Sequence, residues 1–272
     1  MKIVDHLLTK ESFVIVPTEI EGILKTSPVP QNIGKYYESD DYISHNQDEA
    51  SFKQKIYKIA QYFNLNYKRN IIAAETFSGA KVLDYGCGAG EFIKYIQNDF
   101  ETFGYEPDED ARNIARNKAS KTKIISDINL LEDSSLDVIT LWHVFEHVEN
   151  QKEMMQLFHQ KLNKDGVLII AVPNHTSYDA KYYKEFWAAY DVPRHIFHFS
   201  KNGMLKLFNN EIWKLNKIKP LLLDSFYISI LSEKYKKNPL FWLKGTFLGA
   251  ISNFKAIKNN EYSSLVYIIE KK

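Results

Sequence analysis

The stretch "VLDYGCGAGEF", residues 82–92, decides the fold. It begins as a buried strand pattern and ends in three glycines at alternating positions, after which a helix pattern starts. Glycine lets the backbone adopt positive φ and lets a ligand approach closely. A glycine turn after the first strand of a parallel sheet therefore predicts a nucleotide-like ligand at the carboxyl ends of the strands.

The spacing of these glycines restricts the ligand. Gly86, Gly88 and Gly90 form G-x-G-x-G, whereas dinucleotide sites have G-x-G-x-x-G and phosphate-binding loops add Lys-Ser/Thr. Asp84 at the strand end would repel a pyrophosphate but could hold an ammonium group. Glu106 ends the next strand, where an acid can accept hydrogen bonds from ribose hydroxyls. These features favour S-adenosylmethionine, which has a ribose, an adenine and an amino-acid tail but no phosphate.

The chain around this loop alternates strand and helix patterns. The strands are "KVLDY", "FETFGYEP", "TKIIS", "LDVITLW" and "GVLIIAVP". Helical segments between them imply right-handed crossovers and a parallel sheet covered on both faces. Further along, "PLLLDSFYISIL" and "SSLVYIIEK" are interpreted as two more strands. Between them Leu240, Leu243, Phe247 and Ile251 recur at helical spacing and predict a lid, a packing helix or a dimer contact, with a membrane-surface helix as the alternative.

The predicted domain organisation has two parts. Residues 1–75 form an N-terminal extension with short strands in "SFVIVPTEIEGILKTSPVP", a tyrosine-rich stretch and a helix. That helix would carry Phe52, Ile56, Ile59 and Phe63 on one apolar face. Residues 76–272 form the main domain, with a helical insertion at about 232–260.

Composition narrows the class of protein. The 272 residues carry a formal net charge of +1, so we expect no nucleic-acid partner. The apolar runs are too short to span a membrane and no secretory signature precedes them, so we expect no membrane span and a cytoplasmic location. Cys87 is the only cysteine, which excludes an internal disulfide and a cysteine-based metal cluster.

Four ordered motifs resemble one enzyme family. "VLDYGCGAGEF", "GYEPDEDA", "SLDVITLWHVFEHV" and "DGVLIIAVPN" are similar, in order and spacing, to motifs of class I S-adenosylmethionine-dependent methyltransferases. The resemblance implies an α/β protein with a Rossmann-like, doubly wound, seven-stranded sheet whose last two strands form an antiparallel pair. It also implies S-adenosyl-L-methionine as cofactor and S-adenosyl-L-homocysteine as product.

The resemblance assigns cofactor contacts to particular residues. Those implied for the methionine part are Asp84, Gly86, Cys87, Gly88 and Gly90. Those implied for the nucleoside are Glu106 and Pro107 at the ribose and Asp127 and Ile128 at the adenine. Leu141, Trp142 and His143 would face both cofactor and acceptor. Tyr37 and Tyr42 would fold over the cofactor as a lid, with an ordinary solvated loop as the alternative.

Methyl transfer from a sulfonium needs mainly alignment and an unprotonated nucleophile, and histidine suits the role of general base. Two histidine groups stand near the predicted site, "HVFEHV" and "YDVPRHIFHFS". The candidate catalytic residues are His143, Tyr190, Arg194, His195 and His198. The alternative for the second group is packing, with a helix capped by Ser200. The spacing of His143 and His147 could suit a metal, but no third ligand is evident and no metal is predicted.

The segment "WAAYDVPRHIFHFS" resembles a bacterial group of these methyltransferases with the motif W-x-x-x-D-x-P-R-H-x-x-H-F. Many members carry a cysteine-rich, zinc-ribbon-like region upstream, as do sugar C-methyltransferases. This chain has no paired cysteines there, which argues against sugar C-methyl transfer.

We therefore predict a methyltransferase, monomeric or homodimeric, that acts on a small-molecule acceptor. One alternative is a nucleic-acid or protein methyltransferase, suggested by the lysine-rich "KLNKIK" and "SEKYKKN". Another is a non-catalytic S-adenosylmethionine-binding protein.

Overall fold

The computed structural model describes residues 1–37, 52–208 and 210–272, with side chains from residue 58 onward in the second range. The strands are β1 (Lys2–Val4), β2 (Ser12–Pro17), β3 (Ile23–Ser27), β4 (Lys81–Tyr85), β5 (Glu101–Tyr105), β6 (Lys123–Ile125), β7 (Leu136–Trp142), β8 (Leu162–Pro173), β9 (Phe197–Phe199), β10 (Trp213–Pro220) and β11 (Ser264–Lys271). The α-helices are α1 (Phe52–Ala73), α2 (Glu91–Ile96), α3 (Glu109–Lys118), α4 (Gln151–Lys161), α5 (Tyr178–Tyr183), α6 (Lys201–Phe208), α7 (Asp224–Tyr235) and α8 (Phe241–Ala256).

Seven strands form the central sheet in the order β10-β11-β8-β7-β4-β5-β6. The pairs among β4 to β8 are parallel, and β11 runs antiparallel to both β8 and β10. Val82 and Leu83, adjacent on β4, are both fully buried, because helices cover the two faces of the sheet. The predicted Rossmann-like architecture with an antiparallel final pair is confirmed.

The prediction of a strand in "PLLLDSFYISIL" was wrong. Helix α7, residues 224–235, begins inside "PLLLDSFYISIL", and the strand is instead the lysine-rich β10. In α7 the buried residues Ser225, Ile228, Ser229 and Ser232 recur at helical spacing. Short apolar runs fit either a strand or a buried helix by periodicity alone, which is why the sequence misled here.

The N-terminal strands join a second, four-stranded antiparallel sheet in the order β1-β2-β3-β9. Ile23 pairs with Phe199 and Leu24 with His198, so one edge strand of this sheet comes from the histidine-rich segment "WAAYDVPRHIFHFS", residues 187–200. The strands predicted in residues 12–27 are confirmed. The domain boundary at residue 75 stays a prediction.

Two helices present apolar side chains to solvent. Helix α1 forms where the sequence predicts it, but Ile59 and Phe63 of its supposed buried face are 56% and 60% exposed, while Ile71 and Ile72 near its end are buried. The side chains of Phe52 and Ile56 lie outside the described set. A helix also forms where the spacing of Leu240 to Ile251 predicts it, and most of its large apolar residues point outward as well. Within the described residues, no helix has the length and apolar character needed to cross a bilayer.

Candidate functional site

The glycine loop follows β4 with three positive-φ glycines, Gly86 (79°), Gly88 (52°) and Gly90 (81°). A Cβ atom at Gly86 would lie 2.5 Å from a methyl carbon of Val144, so close packing also demands glycine there. A Cβ atom at Gly88 would meet nothing within 4 Å. The loop is therefore folded tightly on its protein side and leaves open space over Gly88, where a ligand can approach the backbone.

Two acids flank this loop. Asp84 is 3% exposed and accepts a hydrogen bond from the Thr140 hydroxyl at 2.7 Å. Burial raises the pKa of its carboxyl to about 6, although the Thr140 bond acts in the opposite direction. Glu106 accepts hydrogen bonds from the backbone amides of Gly88 at 2.9 Å and Asp108 at 3.0 Å. The arrangement offers one buried carboxylate for an ammonium group and one partly buried carboxylate for hydroxyl groups.

Most of the remaining predicted cofactor residues lie at or just after the carboxyl ends of β5, β6 and β7. Ile128 and Leu141 are buried, and Pro107 directly follows Glu106. Asp127 caps the short 3₁₀ helix Ile128–Leu130 by accepting from the Asn129 amide. Cys87 is buried, which raises the pKa of its thiol well above the usual range and keeps it neutral. It is therefore suited to packing in the loop and unsuited to nucleophilic attack. Tyr42 lies outside the described residues.

Lys68 on α1 is a charged neighbour of the site that the sequence did not indicate. Its ammonium lies 4.8 Å from the ring centroid of Trp142 and 5.8 Å from that of Phe92. Burial lowers its pKa, while the carboxylates of Asp224 and Asp84 act against this. The helical pattern around residue 68 contains several lysines, so only the fold distinguishes this one.

His143 stands directly after β7 between two acids. Its Nε2 atom lies 2.8 Å from Asp224 Oδ2 and its Nδ1 atom 3.3 Å from Glu146 Oε1. Burial disfavours the charged imidazolium, but the two carboxylates outweigh it and raise the pKa of His143 to about 10. The ring is held as a cation at neutral pH, which makes it a poor proton acceptor.

A second pair of histidines meets beside Glu146. The rings of His147 and His195 contact edge to face, with centroids 4.7 Å apart. Nδ1 of His195 donates to the Ala189 carbonyl at 2.8 Å, and Nδ1 of His147 donates to the Arg194 carbonyl at 2.9 Å. Each ring therefore carries its free lone pair on Nε2. Burial, together with the neighbouring ring of His195, lowers the pKa of His147 to about 4.

Tyr37, which the sequence placed in a lid, contacts this histidine pair. Its hydroxyl lies 3.0 Å from Nδ1 of His147. The contact brings the end of the described N-terminal segment against the His147–His195 pair, although it does not test a contact between Tyr37 and the cofactor.

Arg194 occupies a closed ionic cluster. It is 1% exposed and binds Asp5 at 2.9 Å, both oxygens of Asp191 through Nε at 3.0 Å, and the Tyr36 carbonyl at 2.9 Å. Burial opposes its charge, but bonds to Asp191 and Asp5 outweigh it and raise its pKa. These contacts favour a structural role and leave the guanidinium little freedom to bind an acceptor.

His198 and Tyr190 also lie inside the protein. His198 is buried on β9, 2.9 Å from the Thr26 hydroxyl, and burial lowers its pKa well below the usual value. Tyr190 packs its ring edge to face against His198, and burial raises the pKa of its phenol to about 12. The Ser200 side chain accepts from the Gly203 amide at 3.0 Å and caps α6, as predicted. These contacts favour packing roles for His198 and Tyr190.

One group of side chains has the composition of a metal site. Glu146, His147 and His195 each offer a ligand atom, and these atoms lie within 4.8 Å of one another. The second carboxylate oxygen of Glu146 is buried and has no hydrogen-bond partner within the part of the chain that the structure describes. The sequence did not reveal Glu146 and His195 as a set because helix α4, strand β8 and helix α5 lie between them in the chain.

Comparison with known proteins identifies the family. The sequence profile described as a methyltransferase domain matches residues 42–211. An uncharacterised protein of Methanocaldococcus jannaschii, MJ1252, is 28% identical over 176 residues, which are 61% of this chain and 66% of that protein, just under two thirds of its length. A second uncharacterised protein of the same organism, MJ0638, is 27% identical over 173 residues, covering 61% of this chain and 75% of that protein.

Solved structures share the fold at low sequence identity. The mycolic acid cyclopropane synthase CmaA1, solved with S-adenosylhomocysteine, has a TM-score of 0.52 at 14% identity, covering 76% of this chain and 83% of that chain. The geranyl diphosphate C-methyltransferase of Streptomyces coelicolor has a TM-score of 0.52 at 11% identity, covering 76% and 75%. Because the profile match covers more than half of its length, the chain belongs to the methyltransferase-domain family, and its fold is that of these two enzymes solved with S-adenosylhomocysteine.

Proposed function

We propose that this protein transfers a methyl group from S-adenosylmethionine to a small molecule whose nucleophile is deprotonated by His195. The observation that carries the proposal is the contrast between the histidines. His143 is held as a cation by two acids, whereas His195 has its Nδ1 proton fixed on a carbonyl and a free lone pair on Nε2.

Cofactor binding in this proposal depends on the charges around the glycine loop. S-adenosylmethionine supplies an electrophilic methyl group on its sulfonium. Asp84 would hold the ammonium of the methionine part and Lys68 its carboxylate, since the two side chains influence each other's charge beside Trp142. Glu106 would hold the ribose hydroxyls, with Asp127 and Ile128 at the adenine. The open space over Gly88 suits the close approach of the methionine part.

The choice of His195 rests on its position and on the weak basicity of its neighbour His147. His147 is neutral but too weakly basic to accept a proton readily, given its pKa of about 4. When His195 Nε2 accepts the acceptor's proton, the imidazolium has Glu146 beside it and Asp191 Oδ2 at 4.0 Å to stabilise the charge. His143 would instead fix the end of β7 against α7.

A small acceptor is supported by the comparison, because the similar geranyl diphosphate C-methyltransferase is named for a small-molecule substrate. The crevice that borders His195 is lined by Pro173, His175, Trp187, Ala189, Phe197 and His198, and it is too narrow to hold even a water molecule. An acceptor must therefore widen this crevice to reach His195.

The first test is titration calorimetry of cofactor-free protein with S-adenosylmethionine and S-adenosylhomocysteine, followed by a screen of small acceptors for methyl transfer. Once an acceptor is found, we expect His195→Gln to lower kcat by about 100-fold or more. Full activity of His195→Gln would reject the base assignment. Binding without turnover on any acceptor would favour the non-catalytic alternative, and salt-dependent retention on RNA would favour a nucleic-acid substrate.

A further inference from the structure

Helix α8 exposes most of its large apolar side chains and buries mainly small ones, which is the reverse of an ordinary surface helix. Its buried residues are mostly small or polar, namely Gly245, Leu248, Gly249, Ser252 and Ala256. Most of its large apolar residues face solvent and are more than half exposed, namely Trp242, Leu243, Phe247 and Phe254, with Leu240 and Ile257 at the two ends. A surface helix normally buries its large apolar side chains and exposes its polar ones.

The reason for the inversion is the close packing of α8 on α7. A Cβ atom at Gly249 would lie 2.8 Å from Phe226 Cα, and one at Gly245 would collide with the backbone of Ile230. Only small residues allow this approach, so the larger residues of α8 must point away from α7. The result is an apolar outer face on the α7–α8 hairpin, residues 221–259, to which Tyr227 of α7 adds another exposed aromatic ring.

The solvent-exposed charged residues of this hairpin are all lysines. Its two acids, Asp224 and Glu233, are paired inside with His143 and Lys244. The exposed charged residues are Lys234, Lys236, Lys237, Lys255 and Lys258. Large apolar residues, among them Trp and Phe, bordered by lysines are the features of a surface that inserts into the headgroup region of an anionic bilayer.

We infer that the outer face of the α7–α8 hairpin docks on an anionic lipid surface. A second copy of this chain fits less well, because two such faces brought together would place their lysine borders against each other. The hairpin also contacts the region of His143 and His195, where the proposed acceptor would bind and which we call the acceptor side. Asp224 binds His143, and the Ser232 hydroxyl accepts a hydrogen bond from the Ala188 amide at 2.9 Å. Docking would therefore bring the acceptor side close to the lipid surface. Lipid binding can be measured without turnover, so its test does not depend on whether His195 is the base.

The test is cosedimentation of the full chain with vesicles of phosphatidylcholine alone and of phosphatidylcholine mixed with phosphatidylglycerol. We expect binding to the mixed vesicles, weakened by added salt. The double variant Phe247→Ser/Phe254→Ser should weaken binding by about tenfold or more, from the apolar area it removes. Lys234→Gln/Lys258→Gln should weaken it by about fivefold for each lysine. The matched control is Phe77→Ser/Ile114→Ser, two exposed apolar residues elsewhere, which should bind like the unaltered protein.

A second measurement checks which face is inserted. Tryptophan emission should shift to shorter wavelength on binding to mixed vesicles, and the shift should disappear in Trp242→Phe. The inference is overturned by absence of binding to the mixed vesicles, or by binding that the hairpin variants leave unchanged. It is also overturned if sedimentation without lipid shows a dimer that Phe247→Ser/Phe254→Ser converts to a monomer, since a second copy would then cover the face.

Discussion

The Nε2 atom of His143 lies 2.8 Å from Oδ2 of Asp224, which joins the end of β7 to the start of α7. His143 adopts a φ of 59°, unusual for a residue with a side chain, and this conformation aims its ring between Asp224 and Glu146. Because of this contact, the stability of the fold depends on whether His143 is protonated.

Asp224→Asn tests this coupling. The pKa of His143 is raised from 6.5 to about 10, so the charged ring stabilises the folded state fully below its unfolded value and ceases to do so as pH rises through about 10. We expect Asp224→Asn to lower the free energy of unfolding by about 3 kcal/mol near neutral pH. The difference should shrink between about pH 7 and pH 10, as measured by urea denaturation. Asp165→Asn, at an exposed acid, is the control, and a pH-independent difference would contradict the assignment.

Alanine at two glycines of the loop should separate folding from cofactor binding. Gly86→Ala would place its Cβ 2.5 Å from Val144, whereas Gly88→Ala has no protein atom within 4 Å of its Cβ. We expect Gly86→Ala to lower the melting temperature markedly. Gly88→Ala should cost only about 1–2 kcal/mol from its left-handed conformation, yet weaken S-adenosylmethionine binding about tenfold or more in calorimetry. Unchanged affinity in a folded Gly88→Ala protein would mean that the cofactor does not approach this backbone.

Lys68→Met should weaken S-adenosylmethionine binding if its ammonium holds the methionine carboxylate. Loss of a charge-assisted hydrogen bond predicts a dissociation constant about tenfold higher. Lys58→Met, on the same helix but exposed, should bind normally. Decarboxylated S-adenosylmethionine sharpens the result: Lys68→Met and the unaltered protein should bind it equally, because the group that Lys68 recognises is absent. A Lys68→Met deficit that persists with this analogue would instead point to damage to the site as a whole.

The sequence predicts those parts of the protein that depend on local pattern. "VLDYGCGAGEF" carries strand, turn and helix within one stretch, and the alternation of patterns gives the parallel sheet. Predictions failed where tertiary contacts decide. The exposed face of α8 depends on how closely α7 packs, and the helix in residues 224–235 depends on burial on one side. Asp5, which binds Arg194, and Asp224, which binds His143, come from distant segments that no spacing rule joins.

Substitution of Arg194 tests whether this residue of the histidine-rich segment is structural or catalytic. Arg194 bridges Asp5 of the N-terminal segment and Asp191, and its carbonyl accepts from His147. Replacing it leaves the buried Asp5 and the partly buried Asp191 without their cation, so Arg194→Met should lower the free energy of unfolding by about 3–5 kcal/mol. Asp5→Asn should destabilise less, because Asp191 still neutralises the guanidinium. If the role is structural, protein that remains folded at low temperature should keep nearly normal kcat. A stable Arg194→Met protein with kcat reduced by orders of magnitude would instead restore Arg194 to the reacting groups.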